Sequence, residues 1–304
     1  MTVLVVGAGA GGGYIGDRLI AAGRDVTFLV HPHTLARLRE SGLRLRHDND
    51  VRTVDVNAVT SADLNGTYDV IVVAVRASAV ASAIDDVLPA VGPGTRIVPI
   101  VNGIGHLSLL AAAFGRRALG AAARLHASLA ADGVIDVVTP GIDIQLGALD
   151  VDDADGLGRT RAELEVPDIA VAAREDILGA MWEKFAFIMS TAVLTCLAGA
   201  EIGPIARTDG GVGLARRVLT EVSSIAAAEG HPLTDEARNG LDAVLTNPSS
   251  MFGPSMFRDL RAGRPIEIGV FADLADHART HDLDTPLLDA AMVVVDVHNR
   301  RVSQ

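Results

Sequence analysis

Lysine is almost absent from this sequence: of its 26 lysine and arginine residues, only Lys184 is a lysine. Arginine replaces lysine at most surface positions, but its guanidinium does not release a proton at any pH at which proteins stay folded. A lysine ammonium can be brought toward neutrality by burial, so the one lysine, within Ala180–Ala186, suggests proton transfer at that place. The alternative is a residue left over by a biased composition, and composition alone does not decide between the two.

Cysteine is also scarce, because Cys196 is the single one and lies in an apolar run. One cysteine excludes an internal disulfide framework and is typical of a small core residue in a reducing compartment, so we expect a cytoplasmic protein. The net charge of -12 argues against nucleic acid or an anionic membrane surface as a partner. A small-molecule substrate is the expected partner.

Membrane-spanning and secretory signals are missing as well. The longest uncharged apolar stretch, residues 185–200, is short and is interrupted by Ser190, Thr191 and Thr195. We therefore expect a buried helix there. The N-terminus has no basic region before its apolar run, which indicates a first strand and not a signal peptide.

Metal-ligand patterns are equally weak. His277 and His281 are one helical turn apart, but no His-Glu-x-x-His pattern accompanies them, so a surface helix is expected and no metal. The acidic run of residues 150–156 lacks the third ligand position and the terminal glutamate of a calcium-binding EF-hand loop. A solvated turn that leads into a helix is the expectation.

A glycine-rich turn follows the first predicted strand, Thr2–Val6. Residues 7–13 contain Gly-x-Gly-x-x-Gly, a helix continues to Ala22, and a second strand follows at 25–30. This strand, turn and helix order is typical of a dinucleotide-binding unit, in which the glycines let the backbone approach a pyrophosphate at the helix N-terminus. The predicted cofactor-binding residues of the turn are Gly7, Gly9, Ala10, Gly11 and Gly12.

The end of the second strand holds His31, where NAD-binding proteins commonly carry an acidic residue for the ribose hydroxyls. Arg37 and Arg39 lie on the next helix, so NADPH is favoured over NADH. A solvated helix face is the alternative interpretation of both arginines. His31 would assist a phosphate only when it is protonated.

Alternating strands and helices continue, with strands predicted at 68–75, 96–101, 118–123, 134–138 and 142–146. This pattern predicts a doubly wound parallel sheet. Arg76 and Asn102 each follow a strand, at the edge where open sheets bind ligands. From about Arg174 the pattern is helical, so we predict a Rossmann domain over 1–173 and an all-helical domain over 174–304, with the boundary between 171 and 176.

Lys184 and Ile188 are four residues apart on the first helix of the second domain and so share a face. An apolar neighbour lowers the pKa of an ammonium toward the range of a general acid. Glu267 lies among apolar residues after a Gly-Arg-Pro turn. It is either part of a site or the partner of Arg264 or Arg261.

The sequence resembles the ketopantoate reductase family, or 2-dehydropantoate 2-reductases, over essentially its whole length. The residues that carry the resemblance are Gly7–Gly12, Asn102–Gly105, Trp182–Lys184, Ser255–Asp259 and Gly263–Glu267. The resemblance implies a Rossmann domain that binds NADPH, a helical domain that closes the site, a monomer or homodimer, and a role in pantothenate biosynthesis.

The resemblance also implies roles for individual residues. Lys184 would protonate the alkoxide that forms when hydride reaches the ketone carbon, and Asn102 would orient the carbonyl or the lysine and border the cofactor. Ser255 would bind the substrate carboxylate, and Glu267 would order the substrate and the amine. Arg76 stands where the family has a lysine on the cofactor side. The arginine keeps the positive charge of that lysine but cannot donate or accept a proton.

Three positions depart from the family, which presents asparagines to the substrate hydroxyl. They are Ile188, Ile202 and, by the spacing back from Glu267, Phe252. Counting from Asn247 instead would select Ser250 in place of Ser255, and we favour Ser255 because its spacing to Glu267 needs no gap. Isoleucine leaves a substrate hydroxyl without a partner, so a 2-oxo acid with a more apolar tail than ketopantoate is expected.

Three functions follow as hypotheses. The first is NADPH-dependent reduction of a 2-oxo acid, either ketopantoate or a more apolar analogue. The second is a D-2-hydroxy acid dehydrogenase that uses NADH. The absence of an acidic residue at position 31, which is His31, argues against it. The third is a redox-neutral or binding protein with the same fold, against which the joint retention of Lys184, Asn102 and Glu267 argues.

Overall fold

The computed structural model describes residues 1–48, 50–149 and 154–303. Its two compact units are formed by Met1–Val101 with Gly105–Ala180, and by Asn102–Ile104 with Met181–Gln304. The predicted boundary at residues 173 and 174 precedes a helix whose first four residues belong to the first unit. The acidic residues 150–153, for which a calcium loop was weighed, lie outside the described residues.

The first unit alternates strands and helices along most of its length. In chain order its elements are β1 (Thr2–Val6), α1 (Ala10–Ala21), β2 (Asp25–Leu29), α2 (Pro32–Ser41), β3 (Leu43–His47), β4 (Asp50–Val54), β5 (Asn57–Val59), β6 (Tyr68–Val73), α3 (Val80–Val87), β7 (Val91–Pro99), α4 (His106–Phe114), β8 (Leu119–Leu129), β9 (Ile135–Ala148), α5 (Ala154–Leu164) and β10 (Ile169–Ala173).

A five-stranded parallel sheet forms the centre of this unit, with the strand order β5-β2-β1-β6-β7. The strands β1 and β6 are buried along most of their length, which explains their continuous runs of valine, leucine and isoleucine. The chain order reverses beside β1, and open α/β sheets bind ligands at that switch point. The predicted Rossmann fold is confirmed.

A second sheet has the order β10-β9-β3-β4, and β8 pairs with the long strand β9. The sequence predicts two strands at 134–138 and 142–146, but the structure has the single strand β9. One edge of β9 pairs first with β3 and then with β10. Its other edge pairs with β8 throughout, with register shifts at His126 that let the strand continue past Gly141.

The antiparallel pair β3 and β4 is not predicted by the sequence pattern. In β3, the two leucines Leu43 and Leu45 are buried and alternate with arginines. The strand β4 is mostly exposed. Such a short, polar edge strand has a weak local signal, because its place depends on the strand that it pairs with.

Every regular element in the described part of the second unit is a helix, which confirms the predicted all-helical domain. Its helices are α6 (Ile177–Ala198, from Met181 onward), α7 (Ile202–Ala206), α8 (Gly211–Ala228), α9 (Asp235–Leu245), α10 (Ser255–Arg261), α11 (Ile268–Thr280) and α12 (Pro286–Val302).

The helix α6 is long and apolar enough to cross a membrane by length and composition alone, but 61% of its most apolar window is buried within the protein. Trp182 is 3% exposed and its indole contacts the rings of Phe185, His231 and His277. Burial against neighbouring helices is what a core helix shows, as the interrupted apolar run predicts.

Candidate active site

The glycine-rich turn joins β1 to α1 at the switch point of the parallel sheet. Gly7 has a φ of +95°, and a Cβ there would lie 2.8 Å from the carbonyl oxygen of Ala74. A Cβ at Gly12 would overlap the carbonyl oxygen of Gly7. These two glycines are therefore required by the turn and by its close contact with the helix.

Gly9 differs from its neighbours, because no described atom lies within 4 Å of an added Cβ. Gly9 is the N-cap of α1, which has no side-chain cap and no acidic residue in its first turn. The space beside Gly9 is therefore open, and the first turn of α1, which contains Ala10 and Gly11, carries no carboxylate that would compete with an anion for its N–H groups. This arrangement fits the pyrophosphate of a dinucleotide.

The end of β2 leads to His31, the exposed N-cap residue of α2. Its ring stacks on that of His33, with the centroids 5.9 Å apart. Arg37 donates a hydrogen bond to the carbonyl oxygen of Gly133 at 2.7 Å, whereas Arg39 is exposed. One of the two arginines considered for a 2′-phosphate therefore has another partner.

Arg76 follows β6 at the carboxyl edge of the parallel sheet. It is exposed and precedes the short helical turn Ala77–Ala79. A cation at this edge suits an anionic group of a cofactor or a substrate.

Lys184 lies in the second unit on α6, where both it and Ile188 are partly exposed. Residues before it fix the helix: Trp182 is buried, and Glu183 accepts a hydrogen bond from the hydroxyl of Thr234 at 2.8 Å. The lysine is thus carried by an anchored helix, with the apolar Ile188 one turn away on the same face.

The loop Asn102–Ile104 belongs to the second unit although it follows β7 in sequence. Asn102 is partly exposed, Gly103 has a φ of +91°, and the N–H of Ile104 donates to the Oδ2 atom of Asp273 at 2.7 Å. A carboxylate of α11 therefore holds the loop that carries the predicted amide.

Glu267 is the N-cap residue of α11 and is partly exposed beside the buried Ile266. The amide side chain of Asn299 accepts a hydrogen bond from the N–H of Ile266 at 2.8 Å and donates one to its carbonyl oxygen at 2.9 Å. These two bonds hold the backbone directly before Glu267.

The two arginines weighed as partners of Glu267 bind other carboxylates. Arg264 pairs with Asp259 at 2.7 Å, and Arg261 pairs with Glu201. Both arginines thus have carboxylate partners on other elements, and the role of Glu267 in a site stays a prediction.

The two candidate serines differ in their surroundings. The hydroxyl of Ser250 accepts a hydrogen bond from the N–H of Phe252 at 3.2 Å, within a turn. Ser255 is exposed as the first residue of α10. Ser250 has a local structural task, and Ser255 remains the predicted ligand of the substrate carboxylate.

The three apolar positions predicted near the substrate are not equivalent. Ile188 and Phe252 are partly exposed, and the Phe252 ring lies 5.8 Å from that of Phe187. Ile202 is 0% exposed, and its N–H donates to the carbonyl of Phe252 at 3.2 Å. Its side chain is part of the core in this structure, so a direct contact of Ile202 with a substrate stays a prediction.

Two other titratable groups of the second unit, Cys196 and Glu229, have pKa values that are shifted by burial or by hydrogen bonds. Burial raises the pKa of the Cys196 thiol to about 12, which keeps it protonated and unreactive. Glu229 accepts hydrogen bonds from His277 at 2.7 Å and from His281 at 3.0 Å. Burial opposes ionisation of Glu229, but these bonds outweigh it and lower the pKa of the carboxyl. Within the described residues, no group of three or more histidine, cysteine or acidic side chains is placed to hold a metal ion.

A glycine turn at the switch point of a parallel sheet, followed by a helical unit, defines the class of two-domain α/β proteins with a dinucleotide-binding fold. The sequence matches the description "Ketopantoate reductase PanE/ApbA" over residues 3–150 and the C-terminal part of the same family over residues 176–299. The chain belongs to the ketopantoate reductase family, whose members are oxidoreductases.

Relatives match over nearly their full length. The "Uncharacterized oxidoreductase YkpB" of Bacillus subtilis is 30% identical over 95% of this chain and 96% of that protein. A 2-dehydropantoate 2-reductase of Mesorhizobium japonicum is 27% identical over 97% of each chain.

Solved structures show the same fold. That of 2-dehydropantoate 2-reductase from Geobacter metallireducens has a TM-score of 0.85 at 25% identity and covers 98% of this chain and 99% of its own. The ternary structure of D-mandelate dehydrogenase with NADH and anilino(oxo)acetate has a TM-score of 0.89 over 100% of both chains. Its 16% identity shows the fold alone.

Sequence reasoning missed Asp273 altogether. Its one local signal is a carboxylate in the otherwise apolar stretch Val270–Leu274. That signal becomes specific only when the loop with Gly103 is known to pass beside it.

Proposed function

We propose that this protein reduces a 2-oxo acid to the 2-hydroxy acid with NADPH, and that Lys184 supplies the proton. The observation that carries the proposal is the open glycine turn at Gly9 in the first unit, combined with partly exposed Lys184, Asn102 and Glu267 in the second. Membership of the ketopantoate reductase family supports the same reaction.

The nicotinamide cofactor, when bound, supplies a hydride to the ketone carbon. The π electrons of the carbonyl bond then move to its oxygen, which becomes an alkoxide. The ammonium of Lys184 donates one proton to this oxygen. The neutral amine is protonated again from solvent before the next turnover. Asn102 orients the carbonyl or the amine by hydrogen bonds, Glu267 orders the amine and substrate, and Ser255 binds the carboxylate.

NADPH is proposed because the end of β2 has His31 and His33 in place of a carboxylate, with Arg39 exposed on the same helix. The bond between Arg37 and Gly133 removes one cation from this argument. We therefore expect a preference for NADPH over NADH.

The substrate tail is proposed to be apolar. Ile188 and Phe252 are partly exposed, and Ile188 shares a helical face with Lys184. A substrate hydroxyl would find no hydrogen-bond partner on either side chain, whereas a branched or aryl tail would bury apolar area against them. Ketopantoate, the substrate named for several relatives, is the comparison compound.

The test is the oxidation of NADPH and NADH across a panel of 2-oxo acids that pairs ketopantoate with branched, long-chain and aryl analogues. Lys184→Ala is the inactive reference. Arg279→Ala is the matched control, because it removes a cation of the same unit that pairs with Asp276 on the exposed side of α11.

The proposal predicts turnover by the wild type and by the Arg279 variant, loss of turnover in Lys184→Ala, and a higher kcat/KM for an apolar analogue than for ketopantoate. A higher value for ketopantoate would contradict the argument from Ile188. NADH as the better cofactor would favour the D-2-hydroxy acid dehydrogenase hypothesis. Binding of NADPH without any turnover would favour the redox-neutral one.

A further inference from the structure

We infer that Asp273 is the positioning residue that orders the loop of Asn102 for the reaction. The inference rests on the proposed function, in which Asn102 orients the carbonyl or the lysine. Asp273 is not itself assigned any contact with the substrate or the cofactor.

The first observation is the bond between the two segments. The N–H of Ile104 donates to the Oδ2 atom of Asp273 at 2.7 Å, and the two residues are 169 positions apart. Ile104 is 8% exposed, so loss of the acceptor would leave a buried N–H without this partner. The bond is charge-assisted and therefore stronger than one between neutral groups.

The second observation is the shape of the loop. Gly103, between Asn102 and Ile104, has a φ of +91°, and a Cβ there would lie 2.6 Å from the Oδ2 atom of Asp273. Only glycine allows the carboxylate this close to the backbone while the chain holds a left-handed conformation. The turn that presents Asn102 is thus shaped around Asp273.

The third observation is the support behind Asp273. Its Oδ1 atom lies 3.7 Å from the Nε2 atom of His277, one helical turn away. The Nδ1 atom of His277 bonds Glu229 at 2.7 Å, and His281 bonds the same carboxylate. The second oxygen of Asp273 thus lies near a histidine whose ring is itself held by a hydrogen bond to Glu229.

The fourth observation connects these side chains to the helix of Lys184. The indole of Trp182 meets the ring of His277 edge to face, with the centroids 5.1 Å apart. Trp182 is two residues before Lys184 on α6. The helix α11 therefore contacts both the helix that carries Lys184, through Trp182, and the loop that carries Asn102, through Asp273.

The experiment compares Asp273→Ala with Asp273→Asn, and uses Asp276→Asn as the matched control. Asparagine keeps a neutral acceptor for the N–H of Ile104, whereas alanine removes it. Asp276 is an exposed carboxylate of the same helix that pairs with Arg279. Gly103→Ala disturbs the same contact from the loop side. Circular dichroism melts identify any variant that fails to fold.

Two readouts are measured on the full-length protein. The first is hydrogen exchange of the Ile104 amide by NMR without substrate, which reports the bond directly. The second is kcat and KM with the best 2-oxo acid. We expect Asp273→Ala to raise the exchange rate and to lower kcat, each by about tenfold or more, with partial rescue by asparagine. The exchange rate, kcat and KM of Asp276→Asn should not change.

Unchanged exchange of the Ile104 amide in Asp273→Ala would overturn the inference, and so would faster exchange with an unchanged kcat. If the asparagine variant loses as much as the alanine variant, the hydrogen-bond acceptor is not what matters, which also overturns it. If the wild type reduces none of the acids, the proposed function fails by itself. In that case the exchange rates still decide whether Asp273 orders the loop.

Discussion

Separate replacement of Gly9 and Gly12 by alanine should have different effects: Gly9→Ala should weaken cofactor binding, and Gly12→Ala should lower the stability of the fold. At Gly9 the backbone is extended, with a φ of -78°, and no described atom lies within 4 Å of the new methyl group. The folded protein therefore accommodates it, at a cost of about 1 kcal/mol or less for the poorer N-cap. A methyl group on the open side would, however, hold a pyrophosphate away from the N–H groups of α1.

The expected loss of affinity follows from the bonds involved. Displacement of one charge-assisted hydrogen bond costs about 1.5–3 kcal/mol, which weakens NADPH binding roughly 10- to 100-fold. At Gly12 the methyl group would overlap the carbonyl oxygen of Gly7 and lie 3.0 Å from the Cβ atom of Ala74. Because the backbone must move, Gly12→Ala should cost about 1–3 kcal/mol of stability.

Both variants are tested by titration of NADPH fluorescence and by thermal unfolding followed by circular dichroism. Gly9→Ala should bind weakly and melt within a few degrees of the wild type, since about 1 kcal/mol corresponds to roughly 2–4 °C in a domain of this size. Gly12→Ala should melt clearly lower. Wild-type affinity in Gly9→Ala would refute the placement of the pyrophosphate at this turn.

Three further substitutions and one labelling experiment have defined outcomes. Lys184→Arg keeps the charge but cannot donate a proton, so kcat should fall about 100- to 10,000-fold while NADPH titration stays normal; an unchanged kcat would remove the lysine from the mechanism. Ile188→Asn should shift the ratio of kcat/KM values toward ketopantoate by about tenfold, and a constant ratio would mean that Ile188 does not face the substrate. Gly240→Ala, in the exposed part of α9 with open space around the new Cβ, should stabilise the protein by about 0.5–1 kcal/mol in thermal melts, and a lower melting temperature would contradict this. Because burial raises the pKa of Cys196 to about 12, its thiol should resist alkylation at pH 8 until the protein is unfolded, and fast labelling of the native state would show that the burial is incomplete.

The class of fold and the candidate residues for the reaction could be predicted from the amino-acid sequence alone. Continuous apolar strands, the Gly7 to Gly12 turn and the change to a helical pattern are local signals, because neighbouring residues set backbone conformation and periodicity. The same holds for the apolar run of α6 and for Lys184, whose identity stands out by composition alone. The motifs that suggested Asn102, Ser255 and Glu267 are local as well.

The folded arrangement shows that some of the candidate side chains have other partners or are buried. Arg37 donates a hydrogen bond to the carbonyl oxygen of Gly133, and Arg264 pairs with Asp259. The hydroxyl of Ser250 accepts a hydrogen bond within its own turn, and the side chain of Ile202 is buried. Gly133 is 96 positions from Arg37 in the sequence, so no local pattern reveals that partner.

The two sheets and the Asn102 loop show the same limit. The strand β9 is continuous because β3, β8 and β10 pair with it from three other parts of the chain. Asp273 reaches the loop beside Gly103 across 169 residues. Sequence periodicity specifies which face of an element is apolar, but the partner of a hydrogen bond depends on how distant elements pack, and that is settled only when the whole chain has folded.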